Sequence, residues 1–226
     1  MPALIRSYAN QNQPIITQKN GTLSRTYFNL VRLGRGEEYR AKVEGVETVY
    51  VVMTGNVDIQ VDGTTFRDVG RRKDIWSGNA DSVYAGAGSA VQVRAAQDGT
   101  EIAVAGGTCD KAYPPFRVLP AEVDMVDVGS IETRSHRRIF HILGKNAAGR
   151  AGNLLVSELY CDHGCWSGYP PHKHNEDRGS VETDHEETYH YRFRPETGFG
   201  AQLCFQPDGS SQCFMTRHGD TFLLDR

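Results

Sequence analysis

Alternation of hydrophobic and polar residues, interrupted by glycine-containing turns, is the feature that most restricts how this chain folds. Val57, Ile59 and Val61 alternate with polar residues, which is the period-2 pattern of a strand with one buried face. Gly55 and Gly63 belong to turn-forming sequences on either side of this run. The stretch therefore predicts a half-buried β-strand between two turns.

The same β signals recur along most of the chain. Further strands are predicted at 82–84, 90–95, 101–105, 138–143, 154–160, 186–193, 200–206, 212–216 and 220–224. Short strands separated by turns, without convincing helical periodicity, predict an all-β sandwich or barrel. Prolines interrupt the pattern at 114, 115 and 120 and predict a linker. We therefore expect a first module at 1–108, a linker at 109–127 and a second module at 128–226.

Composition and charge exclude several classes of protein. The 226 residues include 25 Lys and Arg against 28 Asp and Glu, a net charge of −3, which argues against a nucleic-acid binder. No apolar run approaches the ~20 residues of a membrane helix, and the polar N-terminus does not resemble a signal peptide. Five cysteines, an odd number, argue against a disulfide framework. The expected location is the cytoplasm.

The histidines concentrate in the second half of the chain. All eight lie after position 135. His172 and His174 are two residues apart and would project from the same face of an extended strand, while Lys173 would point away into solvent. Glu187, at the start of the next predicted strand, would bring a carboxylate towards them. Two imidazoles and a carboxylate form a common site for Zn, Mn, Fe or Ni.

Two other interpretations of these residues remain open. The two histidines could be surface residues of a solvated loop, because their neighbours Lys173 and Asn175 are polar. Alternatively, Cys161 and Cys165 could join nearby histidines in a structural zinc site.

The motifs around the histidines resemble a known family. A pair of histidines separated by one residue, a spacer, a Glu at the start of a strand and a glycine-bounded hairpin are similar to the metal motif of the cupin superfamily. The strings YPPHKH (169–174), EETYHYRF (186–193) and GFGAQ (198–202) resemble the 5-deoxy-glucuronate isomerase family, bicupin isomerases of bacterial myo-inositol catabolism. Further similarities, including FRVLPAEV (116–123) and TGNVDIQVDG (54–63), extend over nearly the whole chain.

This resemblance implies a fold and a reaction. The fold is two tandem cupin-type β-barrel or jelly-roll modules, the first without metal ligands and the second incomplete at its C-terminus. The reaction is a metal-dependent aldose–ketose isomerisation of 5-deoxy-glucuronate to 5-dehydro-2-deoxy-gluconate. By the same resemblance His172, His174 and Glu187 are metal ligands. A fourth ligand, a histidine in a Gly-Tyr-His-Pro turn, is expected beyond Arg226.

Isomerisation also needs groups that move protons and groups that bind the substrate. Tyr189 and Tyr191 share a strand face with Glu187 and are the candidate catalytic residues, although tyrosines in such positions also serve as core. Gln202 on the next strand is a candidate substrate contact. Arg137 and His141 alternate on one strand, and an arginine suits the carboxylate of a sugar acid.

Two other functions compete with the isomerase. One is a cupin dioxygenase that uses Fe(II). The other is a bicupin that binds a sugar or a metal without turnover. In each case the expected partner is a small molecule, a sugar acid for the isomerase, with no nucleic acid or membrane. The oligomeric state is left open, with a homo-oligomer among the options.

Overall fold

The computed structural model describes residues 3–19 and 22–224. Strands account for its regular structure, together with two short 3₁₀ turns at Pro120–Glu122 and Lys145–Ala147. The strands are β1 Ala3–Ile5, β2 Thr26–Leu33, β3 Glu38–Lys42, β4 Val46–Thr54, β5 Val57–Val61, β6 Thr64–Val69, β7 Asp81–Ala85, β8 Ala90–Ala95, β9 Thr100–Thr108, β10 Phe116–Val118, β11 Asp124–Val128, β12 Arg137–Leu143, β13 Val156–Cys161, β14 Glu187–His190, β15 Phe199–Phe205, β16 Ser211–Arg217 and β17 Thr221–Leu224.

The chain divides into two compact units. One contains the described residues of 1–9, 17–26 and 168–226, and the other contains 10–16 and 27–167. We call them the histidine unit and the large unit. The module boundaries 1–108, 109–127 and 128–226 stay a prediction, although the segment predicted as a linker contains β10 and most of β11.

The large unit is built from three sheets. Their strand orders are β10-β7-β4-β9-β2, β3-β8-β5-β6 and β11-β12-β13. The central strand β4 is buried along nearly its whole length. Tyr50 and Val52 pack into one hydrophobic cluster with β5 and β8, whereas Val49 and Val51 pack into a second with β10 and β12. A strand covered on both faces explains why residues 49–53 of β4 form a continuous apolar run.

The histidine unit contains five strands. They form a three-stranded sheet, β1-β17-β14, and a two-stranded ribbon, β15-β16. In β17, Phe222 is fully buried and Leu223 nearly so. The neighbouring β14 pairs with this strand in antiparallel register, with Glu187 opposite Leu224 and His190 opposite Thr221. The buried strand therefore fixes the backbone from which Glu187 projects.

No helix in the described ranges has the length and apolar character needed to cross a lipid bilayer.

The side chain of His136 lies between two carboxylates, one on β11 and one immediately after β13. His136 Nε2 lies 2.7 Å from Asp127 Oδ1, and its Nδ1 lies 2.5 Å from Asp162 Oδ2. The hydrogen bond to Asp162, with Asp127 adding to it, raises the pKa of His136 above 6.5. A raised pKa means that the bridge contributes fully below about pH 6.5 and is lost as the pH rises through the folded-state pKa.

We expect an NMR titration of the His136 ring to show this raised pKa. Asp162→Asn removes the stronger partner and should bring the pKa back towards 6.5. Asp124→Asn is the matched control, because Asp124 lies on the same strand as Asp127 and is likewise exposed. Asp124 pairs with His141 in the ladder, so the titration of His136 should be unchanged. An unaltered His136 pKa in Asp162→Asn would contradict the assignment.

Candidate metal centre

Three metal-binding side chains converge in the histidine unit. The ligand atoms of His174, His185 and Glu187 all lie within 4.8 Å of one another. His185 Nε2 is 3.1 Å from Glu187 Oε1, and His174 Nε2 is 3.4 Å from the same oxygen. The two imidazole rings are 4.0 Å apart between centroids. Among residues 3–19 and 22–224, this is the group of three that could hold a metal ion.

The chemistry of this group suits a divalent cation. Two imidazole nitrogens and one carboxylate oxygen are common protein ligands of Zn, Mn, Fe and Ni. Partial burial, together with the neighbouring His185, lowers the pKa of His174. A lowered pKa keeps this imidazole neutral at pH 7, which is the form that donates a lone pair to a metal. The three side chains are only 24–35% exposed, so the cluster is partly shielded while remaining accessible from solvent.

His172 lies beside this cluster without belonging to it. Its ring centroid is 5.1 Å from that of His174, and its Nδ1 is 2.9 Å from the carbonyl oxygen of Pro170. The segment around His172 and His174 is not a β-strand, so the expectation that both project from one strand face is wrong. The prolines before His172 cannot donate to a β-ladder, which accounts for the irregular backbone. The predicted ligand role of His172 stays a prediction.

His185 is not among the ligands predicted from the sequence, although it belongs to the cluster. It lies two residues before Glu187, in the loop that precedes β14. The available signal was its spacing, because residues two apart in an extended segment have side chains on the same side. Lys173 also differs from expectation: its ammonium pairs with the carboxylate of Glu182 at 2.9 Å rather than being simply solvated.

Two tyrosines and a phenylalanine continue the face that carries Glu187. The Tyr189 hydroxyl donates a hydrogen bond to Glu187 Oε2. The ring centroid of Tyr191 is 6.3 Å from that of Tyr189 and 6.4 Å from that of Phe193. The Tyr191 hydroxyl in turn donates to Gln202 Oε1 on β15 at 2.7 Å. The sequence-predicted residues Glu187, Tyr189, Tyr191 and Gln202 are therefore connected by hydrogen bonds and ring packing.

Both tyrosines are held in the protonated form. Partial burial and the Glu187 carboxylate raise the pKa of Tyr189 far above its ordinary value. Burial is the main cause of a raised pKa at Tyr191. Each phenol is therefore a hydrogen-bond donor at neutral pH.

The other predicted substrate contacts lie in the large unit. Arg137 is 9% exposed on β12, and its Nη1 donates to the carbonyl oxygen of Ser135 at 3.0 Å. His141, on the same strand, has its Nδ1 2.9 Å from the Ser157 hydroxyl. The roles of Arg137 and His141 stay predictions. The implied fourth ligand beyond Arg226 lies outside the described residues.

The cysteines do not extend the candidate metal centre. All five are free in this structure: Cys109, Cys161, Cys165, Cys204 and Cys213. The Cys161 thiol instead donates to the carbonyl oxygen of Cys165 at 3.2 Å.

Comparison with known sequences places the chain among sugar-acid isomerases. A profile of the KduI/IolB family matches residues 4–226. The 5-deoxy-glucuronate isomerase of Listeria innocua serovar 6a is 32% identical over 198 residues, covering 85% of this chain and 70% of that protein. The 5-deoxy-glucuronate isomerase of Bacillus subtilis (strain 168) is 31% identical over 206 residues, covering 89% of this chain and 73% of that protein.

Solved structures share the fold. An IolB-like protein from Salmonella typhimurium LT2 has a TM-score of 0.88 at 26% sequence identity, covering 98% of this chain and 84% of that one. A putative glyoxylate-induced protein from Pseudomonas aeruginosa has a TM-score of 0.58 at 14% identity, covering 93% of this chain and 70% of that one. The second similarity concerns the fold alone. The predicted all-β fold class, with jelly-roll-type modules, is confirmed.

The family match extends over nearly the whole chain, and the Listeria innocua and Bacillus subtilis isomerases are each more than 30% identical to it. Their names also confirm the prediction of an enzyme of the aldose–ketose isomerase class. The chain therefore belongs to the KduI/IolB family and is an isomerase.

Proposed function

We propose that this isomerase converts 5-deoxy-glucuronate to 5-dehydro-2-deoxy-gluconate with the help of a divalent metal ion. The convergence of His174, His185 and Glu187, in a chain whose relatives are 5-deoxy-glucuronate isomerases, carries this proposal. The reaction moves a carbonyl group from C1 to C2 of the sugar acid. One proton leaves C2 and one arrives at C1, while O2 loses its hydroxyl proton and O1 gains one, so the elemental composition is unchanged.

The metal would be held by His174, Glu187 and at least one of His172 and His185. Zn, Mn, Fe and Ni all suit this set of ligands. A bound divalent ion acts as a Lewis acid and stabilises the negative charge that develops on the substrate oxygens. Tyr189 orients the Glu187 carboxylate. Its hydroxyl donates a hydrogen bond to Oε2, which leaves Oε1 facing the histidines.

The remaining predicted residues would bind and orient the sugar acid. The single hydroxyl proton of Tyr189 is donated to Glu187, and that of Tyr191 to Gln202. We therefore assign the two phenol oxygens as acceptors for substrate hydroxyls rather than as the base at C2. The NH₂ of the Gln202 amide, whose oxygen is held by Tyr191, offers a donor.

Turnover in deuterated water tests the proposed reaction. The full chain, supplied in turn with Zn, Mn, Fe and Ni ions, is incubated with 5-deoxy-glucuronate under anaerobic conditions. We expect the ketose product to carry deuterium on the hydroxymethyl carbon that was C1 of the substrate, because the proton added there comes from a solvent-exchangeable group or from solvent. A requirement for oxygen would favour the Fe(II) dioxygenase instead. Binding of the sugar acid without deuterium incorporation would favour the non-catalytic bicupin, and either result would overturn the proposal.

The proposal also covers the partners and the cellular location of the enzyme. A small sugar acid as substrate and a net charge of −3 fit an enzyme without nucleic-acid or membrane partners. We propose a cytoplasmic location, where the metabolites of sugar-acid catabolism are found. The molecular mass of the protein in solution would give its oligomeric state.

A further inference from the structure

One end of the candidate metal centre is firmly anchored. Glu187 belongs to β14, which pairs with the buried strand β17. The preceding residue, Glu186, accepts hydrogen bonds from the backbone N–H groups of Ser24 and Arg25 at 2.8 and 2.9 Å. It also accepts the hydroxyl protons of Ser24 and Thr26, each at 3.0 Å. The backbone on both sides of Glu186, which carries His185 and Glu187, is therefore fixed independently of any metal.

The opposite end of the centre has no such support from regular structure. His174 lies outside any strand and is separated from His185 by the ten residues 175–184, which form a loop. One backbone hydrogen bond, from the His185 N–H to the His174 carbonyl oxygen at 3.1 Å, closes this loop. A single bond of this kind contributes only about 1 kcal/mol net. Holding His174 in place therefore requires further contacts inside the loop.

Glu182 supplies these contacts. Its side chain is 3% exposed, although it is a carboxylate in a surface loop. One oxygen accepts from the backbone N–H of Asn175 at 2.7 Å and from that of Glu176 at 3.2 Å. The Lys173 ammonium donates to both oxygens, at 2.9 and 3.0 Å. The Arg178 guanidinium donates to the other oxygen from Nε at 3.0 Å and also from Nη2.

These partners surround His174 in the sequence. Lys173 precedes it and Asn175 follows it, so Glu182 binds the residues on both sides of the histidine. We propose that Glu182 is a positioning residue, which closes the loop around its carboxylate and thereby holds His174 against His185 and Glu187. This inference rests on the proposed metal-dependent function, but it concerns a group that no ligand or substrate role requires.

Glu182 itself is poorly suited to be a ligand or a base. Its carboxylate oxygens already accept the six hydrogen bonds described above and are almost completely shielded from solvent. The hydrogen bond from Lys173 is the main cause of a pKa lowered to about 2, with the Asn175 N–H and Arg178 adding to it. The carboxylate consequently stays ionised through the whole pH range in which enzymes of this kind are assayed. Its effect on the centre is exerted through the backbone of the loop.

The test compares Glu182→Gln with Glu176→Gln. Glu176 is a matched control, because it lies in the same loop and reaches the same two cations, Lys173 and Arg178, at 3.7 Å each, but is 62% exposed. Co²⁺ is titrated into the full-length chain, and its visible absorption reports both affinity and coordination geometry. We expect Glu182→Gln to weaken Co²⁺ binding by about tenfold or more and to change the spectrum. Glu176→Gln should bind within about twofold of the parent chain, since surface pairs contribute little.

A second measurement is independent of the metal. Hydrogen exchange in the metal-free chain should be faster in Glu182→Gln at the amides of Asn175, Glu176 and His185, and unchanged at those of β14. Glu182→Asp, which keeps the charge, should recover part of the Co²⁺ affinity. Equal affinity and equal exchange in Glu182→Gln and Glu176→Gln would overturn the inference. If the parent chain binds no Co²⁺, the proposed metal function fails, and the exchange comparison alone decides whether Glu182 positions the loop.

Discussion

Glu187→Gln is expected to lower isomerase turnover by about 10²- to 10³-fold, the scale on which loss of one charge-stabilising group acts in other enzymes. The amide keeps the shape of the side chain and can still accept the hydrogen bond from Tyr189. It removes the negative charge of the carboxylate, whose Oε1 lies 3.1 Å from His185 Nε2 and 3.4 Å from His174 Nε2. The thermal midpoint should change little, because the β14–β17 ladder does not depend on this side chain. Initial rates with saturating metal, together with Co²⁺ titration, measure the effect.

Glu196→Gln serves as the control for this substitution. Its side chain is 82% exposed and lies in the same unit, with only a 3.9 Å approach to His218. Turnover and metal affinity in this variant should match those of the parent chain. Turnover that is preserved in Glu187→Gln would remove the metal centre from the mechanism.

Single alanine variants distinguish the two possible sets of ligands. The family resemblance favours His172 with His174 and Glu187, whereas the structure groups His185 with the latter two. His174→Ala should abolish metal binding in either case. If His185→Ala reduces Co²⁺ affinity and His172→Ala does not, the grouping in the structure is the binding set. The reverse result would mean that the loop rearranges when the metal binds.

The second large effect concerns stability rather than catalysis. Glu47→Ala should lower the free energy of unfolding by about 2–4 kcal/mol, because it removes the shared acceptor of several hydrogen bonds. Glu47 is fully buried on β4. It accepts from the N–H groups of Gly152 and Asn153 at 2.8 and 2.5 Å and from the Tyr84 hydroxyl at 2.5 Å. A protein of this size would lose about 10 °C in Tm, which scanning calorimetry detects.

Glu44→Ala provides the comparison for the buried carboxylate. Glu44 is 77% exposed and forms a surface ion pair with Lys42, so its loss should cost about 0–1 kcal/mol. Glu47→Gln keeps one acceptor oxygen and should fall between the two alanine variants. Equal melting temperatures for Glu47→Ala and Glu44→Ala would show that this hydrogen-bonded carboxylate is not a structural anchor.

Local alternation predicted the well-formed strands closely. The strand expected at 90–95 is β8, and that expected at 200–206 is β15, one residue earlier. Strands held mainly by distant partners were missed. The three residues of β1 pair with β17 more than two hundred positions away, so nothing in their own sequence marks them. The short β10 lies among prolines and was assigned to a linker, yet it pairs with β7 at the edge of a sheet, where proline is tolerated nearby.

The candidate metal centre was only partly predictable for a related reason. His174 and Glu187 were identified from motif and spacing, and the structure brings them together. The prediction for His172 assumed an extended strand, and that assumption determined which side chains would share a face. In an irregular loop, side-chain direction depends on contacts such as those of Glu182, which no periodic rule describes. His185 was overlooked because the loop, rather than a strand, brings it beside His174.

The two-sided burial of β4 has a consequence for how the large unit melts. Its alternate side chains belong to two separate hydrophobic clusters. Displacing β4 to open one cluster would therefore disrupt the other as well. Partial opening of one layer would expose apolar surface on both sides, at about 25 cal/mol for each Å² uncovered. We therefore expect the amides of β4 to exchange only through global unfolding, as the slowest-exchanging group of the large unit.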